Sequence, residues 1–158
     1  MDRRVEQFAQ LLKQVERIVH SPLGRNEKLQ AICELLHEKV DHYDWVGFYI
    51  ADPSQKSLAL GPFVGDPTEH VSIPFGRGIC GQAAERKETF VVQDVSRESN
   101  YLSCSSKVRS EIVVPVFKDG EIVAELDIDS HSTSPFTQED RIFLERICRM
   151  VGELFQAG

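Results

Sequence analysis

SEIVVPVFKDGEIVAELDIDS, residues 110–130, is the stretch whose reading decides the fold. Two runs of alternating β-branched and other residues flank Asp119-Gly120, a strong two-residue turn signal, so the stretch reads as a β-hairpin. Side chains alternate across a strand, which puts Asp127 and Asp129 on one face and Leu126 and Ile128 on the other. On the preceding strand Ile112, Val114 and Val116 form the apolar alternation and Glu111 begins the opposite one. Pairing about Asp119-Gly120 sets Val113 nearly opposite Leu126 and brings Glu111 within reach of the two aspartates. For any one of these carboxylates a solvated strand end is the bland reading, since most charged side chains are exposed. Together they make a patch suited to an ammonium group or a transferable proton. A divalent metal is the weaker choice, because no calcium-binding loop of the EF-hand type accompanies them.

Working outward, residues 3–20 carry Val5, Phe8, Leu11, Leu12, Val15, Ile18 and Val19 at spacings of three and four, the period of an amphipathic helix. After the break SPLGRN, Asn26 is positioned to cap a second helix that turns Leu29, Ile32, Cys33, Leu36 and Val40 inward. WVGFYIA and SLALGPF, separated by the turn-rich DPSQKS, predict a strand pair, and HVSIPF a further short strand. Gly76 and Gly78 interrupt the chain before a short helix over 80–86, and TFVVQDV returns to strand. The polar, aperiodic SRESNYLSCSSKVRS reads as a crossover loop. Thr137 with Asp140 resembles a capping box opening a terminal helix with Ile142, Phe143, Ile147, Met150, Val151 and Leu154 on its apolar stripe.

The chain's 158 residues can bury a real core and fit one domain better than two. A formal net charge of −7 and a pI near 5.2 give no basic footprint for nucleic acid or anionic lipid. No apolar run approaches the roughly 20 residues of a spanning helix, and MDRRVEQFAQ lacks a signal-peptide core, so a cytoplasmic protein with small-molecule or protein partners is expected. Apolar terminal helices make a homodimer plausible.

Of the four cysteines, Cys33 and Cys148 fall on apolar helix faces and read as core. Cys80, in GRGICG, follows two glycines at a helix start, where the macrodipole and free N–H groups lower a thiol pKa. The alternative for it is a small buried residue packing the helix on the sheet. Cys104 lies in a polar loop near Lys107 and Arg109, with a weaker core explanation. A redox or catalytic pair is therefore open. GRGICG is no dinucleotide fingerprint, since it opens no βαβ unit. Trp45 and Tyr49 share a strand face, as core or as the wall of an aromatic pocket. His42, His70 and His131 show no metal-ligand spacing with the cysteines, so no zinc site is expected; His131 reads as surface or as pocket lining.

Taken in order, DWVGFYI, LGPF, IPFGRGICG, QDV, SEIVVP, LDIDS and FTQED, over residues 44–140, resemble a GAF domain of the free methionine-(R)-sulfoxide reductase family. The resemblance implies an α+β fold: a central antiparallel sheet with N- and C-terminal helices packed on one face and crossover loops closing a pocket on the other. A single domain over 1–158 would divide into N-terminal helices (1–40), sheet and pocket loops (44–136) and a C-terminal helix (137–156). The resemblance also implies reduction of a free amino acid sulfoxide without metal or organic cofactor. Cys104 matches the attacking thiolate and Cys80 the cysteine that can form a disulfide with it. Glu111 is the implied proton donor, Asp127 and Asp129 hold the substrate ammonium, and Trp45 and Tyr49 pack its chain. A thioredoxin-like dithiol would restore the thiols. The chain departs from the family pattern at His70, where a third cysteine is common, and in NYLSCS, where Tyr101 and Ser105 replace a His and an Asp. A non-enzymatic ligand-binding GAF sensor and a thiol redox sensor are the competing readings, since one fold serves many functions.

Overall fold

The computed structural model describes residues 3–102 and 105–156. The hairpin at its centre is β5 (Ser110–Lys118) and β6 (Glu121–Ser130). Asp119 and Gly120 both take left-handed backbone angles, φ 52° and 82°, the twist that a two-residue hairpin turn needs. The register differs from the expected one in a way that matters. Near the turn Lys118 faces Glu121 and Phe117 faces Ile122, but beyond a bulge Val116 faces Ala124, so Val113 lies opposite Asp127 rather than Leu126. Continued without the bulge, the pairing would set Glu111 against Ile128. The extra residue, Val123, sets it against Asp129 and gives the three carboxylates a common face.

Around the hairpin, β1 (Trp45–Asp52), β2 (Ser57–Val64), β3 (Ser72–Pro74) and β4 (Phe90–Val92) complete an antiparallel sheet ordered β3-β2-β1-β6-β5-β4. On one face pack α1 (Arg3–Val19), α2 (Arg25–Lys39) and α4 (Gln138–Gly152). Phe8, Leu11 and Val15 of α1, Leu29, Ile32 and Leu36 of α2 and Phe143, Ile147 and Val151 of α4 close over Ile112, Val114, Leu126 and Ile128 in one core. Cys33 and Cys148 lie in it, fully buried, as their helix positions predict. On the other face α3 (Gly78–Arg86) and the loops to either side cover a second cluster containing Trp45, Tyr49, Ile79, Cys80 and Val113. The α+β layering expected from the resemblance is thus the observed one.

Three local expectations are corrected. Gly24, not Asn26, precedes the first residue of α2; Lys28 donates its amide to the Gly24 carbonyl, and Asn26 lies within the first turn. Ile142 is 42% exposed, and Leu144 takes an inward place on α4 instead. That helix stops at Gly152, short of 156, because the chain turns back so that Phe155 reaches the core beneath Arg25. The close approach requires glycine: a Cβ at 152 would stand 2.4 Å from the Phe117 carbonyl oxygen. The capping box is present as predicted, with Thr137 Oγ1 accepting from the Asp140 amide and Asp140 accepting from the Thr137 amide.

Candidate active site

Three neighbouring strands build the floor of the site in rows. Trp45, Asp129 and Glu111 form one row, Gly47, Asp127 and Val113 the next, and Tyr49, Glu125 and Pro115 the third. Alternation sends these side chains away from the three-helix core. Gly47 is small for a reason: a Cβ there would meet the Trp45 ring at 2.4 Å, so the indole can lie along the strand only over glycine. Trp45 Nε1 donates to the Asp66 carbonyl at 2.9 Å and the Tyr49 hydroxyl to the His70 carbonyl at 2.9 Å, which ties the β2–β3 connection over the sheet. His70 thus meets the site through its backbone carbonyl and is among the residues bordering the cavity above Cys80.

The roof is the start of α3. Gly78, at φ 66°, donates its amide to Asn100 Oδ1, and Asn100 Nδ2 donates to the Gly76 carbonyl, while Gln82 Nε2 reaches the carbonyls of Gly78 and Asn100. One asparagine therefore ties the crossover loop to the helix start. Between floor and roof is a cavity of about 10 Å3 bordered by Tyr49, His70, Arg77, Leu102 and the group Cys80, Glu111, Asp127. A second of about 10 Å3 lies by Asp129, Trp45, Ser105 and His131. Each has room for about one water. Larger hollows, about 330 Å3 beside α4 and about 400 Å3 at the far end of α3, are lined by charged surface residues away from this chemistry.

The electrostatics follow from burial. Glu111 is 5% exposed, Asp127 and Asp129 1%, and Glu125 fully buried. The Cys80 thiol donates to Glu111 Oε2 at 3.9 Å. Its pKa is raised well above that of an ordinary thiol, first by burial and then by the negative charges of Asp127, Glu111, Glu125 and Asp129. The expectation of a lowered pKa at the helix start is overturned: the dipole is a partial charge, and burial together with four carboxyls outweighs it. Burial also raises Asp127, opposed by hydrogen bonds with Glu111 and Cys80. A hydrogen bond between two carboxyls needs a proton on one of them, so the pair stores one. Glu125 is raised well above its usual range by burial and by Asp127, and neither of its oxygens has a hydrogen-bond partner among the described residues.

The structure thus brings together Cys80, Glu111, Asp127, Asp129, Trp45 and Tyr49. Cys104 lies outside the described residues. His131 stands at the margin, donating its amide to Asp44 Oδ2 at 2.7 Å. Glu125 is the residue the sequence reading missed. The signal was present, because it shares the alternation of Asp127 and Asp129 two residues further back.

Sheet, roof and flanking helices define the class of protein. Residues 25–154 match the model of the GAF domain, and the chain belongs to the GAF domain family. Among solved structures it is similar to free methionine-R-sulfoxide reductase from Neisseria meningitidis in complex with its substrate, at 35% identity and a TM-score of 0.91 over 98% of this chain and 92% of that one. The free methionine-R-sulfoxide reductase of Saccharomyces cerevisiae is 38% identical over 70% of this chain and 62% of its own length. GAF domain-containing protein A of Dictyostelium discoideum is 35% identical over 92% of this chain and 90% of its own.

Proposed function

We propose that this protein reduces free methionine-(R)-sulfoxide to methionine at the expense of two thiols. The observation that carries the reading is the group of buried acids, Glu111, Asp127 and Asp129, beside Cys80 and flanked by Trp45 and Tyr49. Buried carboxylates favour a cation, and an amino acid brings one in its ammonium group. The relatives named as reductases of the same compound support the assignment.

In this reading Asp127 and Asp129 hold the ammonium, and Trp45 and Tyr49 pack the thioether chain. The Cys104 thiolate attacks the sulfoxide sulfur. Glu111, or the proton it shares with Asp127, protonates the oxygen as it passes to Cys104, and methionine leaves with the electron pair. Cys104 is then a sulfenic acid. The Cys80 thiol forms an S–S bond with Cys104, and the hydroxyl departs with the Cys80 proton as water. The raised pKa of Cys80 suits this division of labour, since a thiol kept protonated beside carboxyls is a poor first nucleophile. A thioredoxin-like dithiol in the cytoplasm reduces the disulfide and closes the cycle. Entry requires the roof near Leu102 and His70 to lift, because the closed cavity has no room for an amino acid. A homodimer through α1 and α4 would cover Val5 and Ile142, each 42% exposed beside an apolar groove.

The test is turnover of the R and S epimers with a thioredoxin system, followed as NADPH loss. NADPH oxidation supported by the R epimer alone and abolished by Cys104→Ser is the expected result. A folded, reduced protein that binds the free amino acid without turnover would make it a ligand-binding GAF module. Response to peroxide alone would make it a thiol sensor.

A further inference from the structure

One ligand atom from each of Cys80, Glu111 and Asp127 lies within 4.8 Å of the other two, and all three residues are buried. Two observations set this group apart from an ordinary acidic cluster. It contains a sulfur, 3.9 Å from Glu111 Oε2. It also adjoins Glu125, which is fully buried; among the described residues neither of its oxygens has a hydrogen-bond partner, and Asp127 Oδ1 has none either. Glu125 stands two residues from Asp127 on the same strand face, near enough for its charge to act on the Cys80 thiol. Buried unpaired carboxyl oxygens are costly, and what satisfies several of them at once is a cation.

We propose that Cys80, Glu111 and Asp127, supported by the adjacent Glu125, form a binding site for a thiophilic divalent cation of the zinc type. A tetrahedral ion with sulfur at about 2.3 Å and oxygens at about 2.0–2.2 Å holds its ligand atoms roughly 3.5 Å apart, so the Cys80, Glu111 and Asp127 atoms, within 4.8 Å of one another, need to contract by about 1.3 Å at most. Its donor set of one thiolate with carboxylates selects zinc over magnesium or calcium, which take oxygen alone. The ion displaces the proton of Cys80 and those shared among the carboxyls, so coordination releases protons and no electrons move. A cavity of about 10 Å3 admits such an ion without the opening that an amino acid requires.

The experiment is an anaerobic titration of the reduced full-length chain with Co2+, which reports thiolate ligation by a charge-transfer band in the near ultraviolet. It uses no substrate, so its outcome is independent of the reductase reading. One ion per chain with such a band is expected, displaced by Zn2+. Cys80→Ser should remove the band, Cys104→Ser should keep it, and Glu125→Met should keep it while weakening Co2+ binding about tenfold. Absence of the band at saturating Co2+, its survival in Cys80→Ser, its loss in Cys104→Ser, or unchanged affinity in Glu125→Met overturns the site. Should Cys80→Ser misfold by circular dichroism, Glu111→Gln and Asp127→Asn carry the same test. Each is expected to weaken binding about tenfold, and wild-type affinity in both overturns the site.

Discussion

Asp140 and Glu125 are both fully buried carboxyls, on opposite sides of the sheet, and their surroundings treat them in opposite ways. Asp140, at the start of α4, accepts from the Tyr43 hydroxyl at 2.7 Å, the Thr137 amide at 2.8 Å and Thr137 Oγ1 at 2.7 Å. Arg4 Nη1 is 3.1 Å away, and His42 Nε2 lies 2.8 Å from its Oδ1. Burial raises its pKa, but the hydrogen bonds with His42, Thr137 and Tyr43 outweigh burial and bring it down to about 2. Glu125 has no donor and another acid beside it, so it keeps its proton far above the usual range. The difference teaches that burial alone says nothing about a carboxyl's role. Supplied with donors it is a structural charge that joins α1, the β1 approach and α4; left without them it is a group waiting for a proton or a cation.

The contrast is broken most severely by Asp140→Ala. It strands the Tyr43 hydroxyl, His42 and the partly buried Arg4, and should cost about 3 kcal/mol of stability, read from the urea midpoint at constant slope. Glu125→Met, of similar volume, should move the midpoint the other way, gaining about 2 kcal/mol, because it replaces an unsatisfied buried acid by an apolar chain. A loss instead would mean that Glu125 is satisfied in solution.

The two acids should also tilt the stability profile oppositely. Asp140 is lowered in the folded state, so its contribution of about 2 kcal/mol is present above the unfolded pKa near 4 and is lost as pH falls toward about 2. Glu125 is raised, so its contribution is present below its unfolded pKa and declines as pH rises toward its folded value. Urea unfolding from pH 4 to 8 should therefore show a downward trend in the wild type that is flatter in Glu125→Met. The smallest effect is expected from Thr137→Ala, which removes the cap and one donor to Asp140 at a cost of about 1 kcal/mol, measured as a lowered Tm.

Local signals carried far. Asp119-Gly120 announced the hairpin and Thr137 with Asp140 the last helix, because a tight turn and a capping box are satisfied by residues a few positions apart. The same locality explains the failures. Nothing near Asp140 in sequence points to Arg4, His42 or Tyr43, which reach it only through packing. Nothing near Cys80 points to the burial under α3 or to the carboxyls of β5 and β6, which together reverse the effect expected from its helix start. Glu125 was legible in part: its alternation with Asp127 was plain, whereas its want of donors depends on what α3 and the loops place above it.

By itself the amino-acid sequence determined the order of helices and strands, most of the inward face of each, the common face of Asp127 and Asp129 on one strand and that of Trp45 and Tyr49 on another. Hydrophobic period and turn chemistry are properties of neighbouring residues. The tertiary structure alone decided the bulge at Val123 that puts Glu111 on the face of the aspartates, and the raised pKa values of Cys80, Asp127 and Glu125. Register and pKa depend on distances between strands and on the exclusion of water, and neither exists until the sheet has formed and α3 has closed over it.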